Sequence, residues 1–294
     1  MKNTVFTGAA TAIITPMKNG GVDFEKFADL VEFQIKNGID AIVVCGTTGE
    51  AATLSEAERA SIIEFTAVYT RSRMKVIAGI GGNDTLAAAN AARRAERLGA
   101  DALLLTTPYY NKASSEGIVR HFAYVAEHSE LPLIVYNVPG RTGVSCTPEH
   151  YARLAEIPRI NGVKEASGDI SLVSRTRHLC GDALNIWSGN DEQTLPMLAL
   201  GAKGVISVAS NIVPQVMATL CATALSGDFF TARAIHEAYA GLFDALFYEV
   251  NPIPVKTAMQ MLGWDSGRLR LPLCPMAEGN AAKLQNCLES LQLL

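Results

Sequence analysis

Lys164 closes a short apolar segment, Gly162-Val163-Lys164-Glu165-Ala166. A lysine in that position is either a solvated strand cap, as most lysines are, or a chemical group. The second reading gains weight from what ends the other apolar runs. These endings are Gly46-Thr47-Thr48-Gly49-Glu50, Thr106-Thr107-Pro108-Tyr109-Tyr110-Asn111, Tyr136-Asn137-Val138-Pro139-Gly140-Arg141-Thr142-Gly143 and Ser188-Gly189-Asn190-Asp191. Hydroxyls, phenols, one guanidinium and one amine are the parts of a Schiff-base site. An amine attacks a ketone only when unprotonated, and a lysine of pKa about 10.4 is almost wholly charged at neutral pH. Lowering that value by about 3 units costs roughly 4 kcal/mol, which apolar burial supplies. Tyr136 then relays a proton through Thr47, since phenol and hydroxyl both donate and accept, and Arg141 offers a planar fork to a carboxylate. Each residue also has a plainer use. Tyr136 suits the end of a barrel strand, Thr47 and Thr48 suit a helix cap or turn, and Arg141 suits a solvated loop. Tyr109 and Tyr110 suit a loop surface or a subunit contact.

These residues share a site only if the runs they terminate are parallel strands of one sheet. Candidate strands begin near Ala10, Asp40, Lys75, Asp101, Pro132, Ile160, Leu184 and Lys203, with helical patterns between them. Runs such as Ala41-Ile42-Val43-Val44 and Ala102-Leu103-Leu104-Leu105 are apolar on both faces, as parallel strands covered by helices are. Asp23, Ser55, Asp84, Ser115 and Thr147 each precede a helical run as N-cap candidates, with Pro148 in a first turn. Ser55-Glu56-Ala57-Glu58 has the spacing of a capping box. The pattern predicts a closed (β/α)8 barrel over residues 1–227, in preference to an open doubly wound sheet. A C-terminal helical region follows over 228–294, with helices expected at 228–250, 254–262 and 275–294. In such a barrel the active site lies at the C-terminal ends of the strands. The fifth and sixth strands are then neighbours roughly 4.8 Å apart, so Tyr136 and Lys164 can touch. Gly162, on the same face as Lys164, is expected to leave room inside the barrel for a small ligand.

Composition narrows the class. The 294 residues are 49% hydrophobic and 18% charged, with a formal net charge of −4. That balance permits a large core and argues against a nucleic-acid or anionic-membrane partner. No apolar run approaches the roughly 18 residues of a membrane span. The opening Met1-Lys2-Asn3-Thr4-Val5 lacks the apolar stretch of a secretory leader. Six cysteines without CxxC spacing suit reduced thiols, so a cytoplasmic protein is expected. Five histidines without ligand spacing give no metal site. Gly79-Ile80-Gly81-Gly82-Asn83-Asp84 lacks the third glycine of a dinucleotide loop and reads as a plain βα turn.

Four of these motifs, in this order, resemble the 4-hydroxy-tetrahydrodipicolinate synthase (dihydrodipicolinate synthase) family of the N-acetylneuraminate lyase, or class I Schiff-base aldolase, superfamily. They are the Gly46 to Glu50, Thr107 to Asn111 and Tyr136 to Gly143 stretches, with Val163-Lys164-Glu165-Ala166-Ser167-Gly168. The likeness extends to Asn251-Pro252-Ile253-Pro254-Val255-Lys256 and Leu269-Arg270-Leu271-Pro272. The resemblance implies a lyase of lysine and diaminopimelate biosynthesis that condenses pyruvate with L-aspartate 4-semialdehyde and uses no metal or organic cofactor. It implies an imine on Lys164 and a proton relay of Tyr136, Thr47 and Tyr110, the last donated across a subunit interface. It also implies a carboxylate site at Thr48, aldehyde recruitment by Arg141, and pocket walls at Gly189 and Ile206. A homo-oligomer is implied, at least a dimer and typically a tetramer of two dimers. Asn83 and Tyr109 match a lysine effector site, but Glu56 and Ala87 replace the histidine and glutamate expected there, so feedback by lysine is expected to be weak or absent. Pyruvate-dependent sugar-acid lyases share the fold and the lysine but lack the Gly-Arg-Thr-Gly run. A non-catalytic ligand-binding barrel is the remaining alternative.

Overall fold

The computed structural model describes residues 2–294; Met1, which opens the segment read above for a leader, lies outside the described residues. The apolar runs form eight parallel strands, β1 (Gly8–Ala12), β2 (Ala41–Val44), β3 (Lys75–Gly79), β4 (Ala102–Thr106), β5 (Leu133–Asn137), β6 (Ile160–Glu165), β7 (Asn185–Ser188) and β8 (Gly204–Ser207). Each pairs with its sequence neighbours, and β1 pairs with both β2 and β8, through Ala10 opposite Ala41 and Ala9 opposite Val205. The sheet is therefore a closed barrel, and the open-sheet alternative falls.

The connecting helices are α1 (Phe24–Lys36), α2 (Glu56–Thr70), α3 (Thr85–Arg97), α4 (Ser115–Ala126), α5 (Pro148–Ala155), α6 (Ile170–Cys180), α7 (Thr194–Ala199) and α8 (Pro214–Leu225). Their starts follow the side chains that satisfy the orphan amides of a first turn. Ser55 and Glu58 exchange the two bonds of a capping box, and Asp84 accepts from Leu86 N and Ala87 N. One cap differs from expectation. Ser114 holds the first turn of α4 by accepting from Gly117 N, while Ser115 lies inside the helix and bonds His150. A hairpin, Met17–Lys18 with Gly21–Val22, was not expected. Its turn residues Asn19 and Gly20 have φ of 53° and 83°, the twist that suits a two-residue turn.

Three helices follow the barrel, α9 (Phe229–Ala245), α10 (Ile253–Met261) and α11 (Glu278–Ser290). None of the helices among the described residues is long and apolar enough to cross a membrane. The main core lies between strands and helices. A separate cluster fills the barrel, where Ala10, Ala41, Ile77, Ile134, Tyr136, Trp187 and Ile206 meet. Trp187, fully buried, stacks on Phe6 at 5.1 Å between ring centroids and donates its indole N–H to Phe6 O at 3.2 Å. This overturns the expected use of Gly162. A Cβ there would come within 2.7 Å of the Trp187 ring and closer still to the Asn185 carbonyl oxygen, so the glycine makes room for the adjoining strand and its indole and not for a ligand. The barrel below Lys164 is filled with protein.

Candidate active site

β5 and β6 place Tyr136 directly opposite Lys164 in register. Lys164 is 5% exposed, and its Nζ lies 4.4 Å above the centre of the Tyr136 ring. Burial lowers the lysine pKa to about 8, against the pull of Asp191, which raises it; Arg141 lowers it further. The ring face also favours the cation, so desolvation acts against two attractions and still prevails. Tyr136 is raised by burial, an effect partly offset by the charge of Arg141 and by a hydrogen bond with Thr47. It is therefore a protonated phenol at neutral pH, beside both the amine and the Thr47 hydroxyl.

Gly189, at the end of β7, is where only a glycine fits. A Cβ there would stand 2.7 Å from the Ala166 Cβ and 3.1 Å from Lys164 Cε, so its absence lets the lysine chain pass. Ile206 on β8 is fully buried in the same interior cluster as Tyr136. Behind the sheet, Glu165 accepts two bonds from Asn137 Nδ2 at 3.0 and 3.1 Å, one from Tyr151 OH at 2.6 Å and one from Ser167 N at 2.8 Å. Burial raises its pKa, and these donors oppose the rise. Asn137 Oδ1 in turn accepts from Cys146 N at 3.0 Å. One carboxylate thus fixes the ends of both strands and the loop that leaves β5. That loop contains a single helical turn, Pro139–Thr142, carrying Arg141.

The Thr47–Thr48 turn follows β2 and is flanked by two strained residues, Cys45 at φ 54° and Glu50 at φ 56°; left-handed backbone costs free energy outside glycine. Thr48 is buried, and its Oγ1 accepts from Asn251 Nδ2 at 3.0 Å. Asn251 O accepts from Arg141 Nη2 at 3.0 Å. Asn251 therefore bridges Thr48 and Arg141, and its own Oδ1 is buried without a partner. It stands 110 residues from Arg141 and 203 from Thr48, and no spacing rule links such positions, so sequence alone assigns it no role. Asp191 was likewise given no role. It is buried, with Oδ2 accepting from Val208 N at 3.0 Å and Ala209 N at 2.8 Å, while Oδ1 has no partner.

The structure brings Lys164, Tyr136, Thr47, Thr48, Arg141, Gly189 and Ile206 to one mouth of the barrel. Tyr110 stands apart from this group in its surroundings, 89% exposed with φ of 69°. Asn83 and Tyr109 do meet, through Asn83 Nδ2 and Tyr109 O at 3.2 Å, and Asn111 Nδ2 closes the contact on Asn83 O at 3.2 Å. Glu56 on α2 pairs instead with Arg94 at 3.0 Å.

The comparisons with known proteins converge. The model of the dihydrodipicolinate synthetase family matches residues 5–291. A 4-hydroxy-tetrahydrodipicolinate synthase of Geobacter sulfurreducens is 49% identical over 290 residues, covering 99% of this chain and all of that protein. The solved dihydrodipicolinate synthase of Thermotoga maritima is 43% identical with a TM-score of 0.97, covering 99% of this chain and 100% of that one. A chloride-inhibited dihydrodipicolinate synthase of Acinetobacter baumannii, solved with pyruvate, is also 43% identical with a TM-score of 0.97, covering 98% of this chain and 100% of that one. With a family model spanning nearly every residue and a full-length relative sharing half of them, the chain belongs to the dihydrodipicolinate synthetase family.

Proposed function

We propose that this protein condenses pyruvate with L-aspartate 4-semialdehyde to give 4-hydroxy-tetrahydrodipicolinate, through an imine on Lys164. The observation that carries the reading is the buried Lys164 amine, lowered to about 8 by desolvation and seated on the Tyr136 ring. At neutral pH roughly a tenth of it is uncharged, hundreds of times more than for a free lysine. The neutral nitrogen adds to the pyruvate ketone, the resulting carbinolamine loses water, and a protonated imine remains. That cation acidifies the adjacent methyl group. Loss of one methyl proton gives an enamine, whose carbon attacks the aldehyde of the second substrate and regenerates the iminium. The amino group brought by that substrate then adds to the iminium carbon, closes the ring and expels Lys164 as the free amine.

Each proton in this sequence needs a carrier. Tyr136 accepts and donates at the imine nitrogen and carbonyl oxygen, and Thr47 continues the path outward. The charge of Asp191, which raises the Lys164 pKa against desolvation, favours the iminium cation in the same way. Thr48 donates to the pyruvate-derived carboxylate, and Arg141 retains guanidinium donors for the second substrate beside the one bound to Asn251 O. Tyr110, exposed in the single chain, completes the relay of a second copy, which makes the working unit at least a dimer.

Borohydride reduction with pyruvate present tests the reading. The expected result is a reduced pyruvyl adduct on the Lys164 peptide and none in Lys164→Met; an unmodified wild-type chain would exclude every imine mechanism, including those of the sugar-acid lyases. Condensation assayed against sugar-acid cleavage then separates the synthase from those lyases.

A further inference from the structure

Lys256 lies on α10, outside the barrel, yet its side chain is fully buried. Its Nζ donates to Glu50 Oε1 at 2.7 Å, to Thr15 O at 3.0 Å and to Arg268 O, with Asp265 Oδ2 at 3.8 Å. The other oxygen of Glu50 accepts from Arg270 N at 3.0 Å. Four segments thus converge on one ammonium: the loop after β1, the turn after β2, α10, and the strap 265–270. Thr15 adds a second tie, donating to Gly49 O at 2.8 Å.

We propose that Lys256 is a positioning residue that holds the Thr47–Thr48 turn in its strained form and locks it to the Asn251 segment. The connectivity carries this. Glu50 N donates to Thr47 O at 3.1 Å, so the carboxylate that Lys256 grips belongs to the residue closing the turn. Thr48 accepts from Asn251, and Lys256 N donates to Pro252 O at 3.0 Å. The path from Lys256 through Glu50, the turn and Asn251 returns to the first turn of α10, a closed ring with both threonines in it. Stability alone does not account for such a ring. A buried ion pair is a weak stabiliser beside a well-packed apolar substitute, whereas its directed bonds fix geometry. Glu50 is held in a left-handed conformation that a glutamate rarely adopts, and the ammonium holds it there.

This proposal rests on the function given above and is tested so that the two fail separately. Lys256→Met and the milder Glu50→Gln, which keeps the side-chain shape but opposes an amide N–H to Arg270 N, are compared with wild type. Amide exchange over residues 46–53 is expected to rise about tenfold or more in either folded variant, with 160–165 unchanged. Turnover in the condensation is expected to fall about 100-fold, as for a misplaced positioning group, and the pyruvate concentration needed for half-maximal borohydride trapping on Lys164 to rise about tenfold, because the displaced Thr48 holds its carboxylate. Unchanged exchange at 46–53, a rise equal in β5 and β6, or trapping with the wild-type dependence on pyruvate would overturn the positioning role. Failure of the wild-type chain to trap pyruvate would sink the functional reading instead, and the exchange comparison would still decide this one.

Discussion

The Lys164 amine is the group on which pH acts most directly. Its folded pKa of about 8 lies below the ordinary 10.5, so between those values the unfolded chain binds more protons than the folded one. Stability from this group therefore rises with pH across that window, and its full cost, about 3 kcal/mol at most, is present below pH 8. Lys164→Met, nearly the same length without the charge, is expected to melt higher than wild type at pH 7 while losing all trapping; a lower melting temperature would show that the amine is better solvated than its burial implies. The rate of imine formation in wild type is expected to climb through pH 8 and level off above it. A flat profile from pH 6 to 9 would contradict the lowered pKa. Arg141→Ala should damage use of the aldehyde substrate far more than pyruvate trapping, since Arg141 does not touch the amine; equal losses would remove its assigned part.

At the scale of elements, much was readable because the cues are local. Two-faced apolar runs specified buried parallel strands, and Ser55 with Glu58 specified the start of α2. Two things escaped for different reasons. Asn19-Gly20 is a strong hairpin cue, but strands of two residues show no alternation to accompany it. Gly162 lay on the inward face as expected, yet what fills the space it leaves is the Asn185 carbonyl and the Trp187 ring of the next strand, and sequence order says nothing about how close a backbone approaches or how an indole leans. Gly162→Ala is therefore expected to cost about 1–3 kcal/mol by overpacking and to alter Trp187 fluorescence. A variant with wild-type urea midpoint and emission would mean that both the β7 backbone at Asn185 and the ring give way freely.

For the whole molecule, the site joins residues that the chain separates widely. Arg141 and Thr48 meet Asn251, which belongs to the segment entering α10. Position in a chain cannot reveal such a bridge, and only the way the C-terminal helices fold back over the barrel mouth creates it. Regulation belongs to this scale as well. The Asn83–Tyr109 contact is formed, but Ala87 offers no group for an ammonium and Glu56 is paired with Arg94. Calorimetry is expected to show no micromolar binding of lysine, and a clear isotherm in that range would restore an effector site here.

The stacked Phe6 and Trp187 rings give the barrel the form of a cup with one lip. A guest bonded to the amine near the bottom cannot slip out beneath, and the next arrival must come in over it. With the imine proposed above on Lys164, the keto acid takes the inner seat and becomes part of the seat for the aldehyde, and the finished product leaves by the door through which both came.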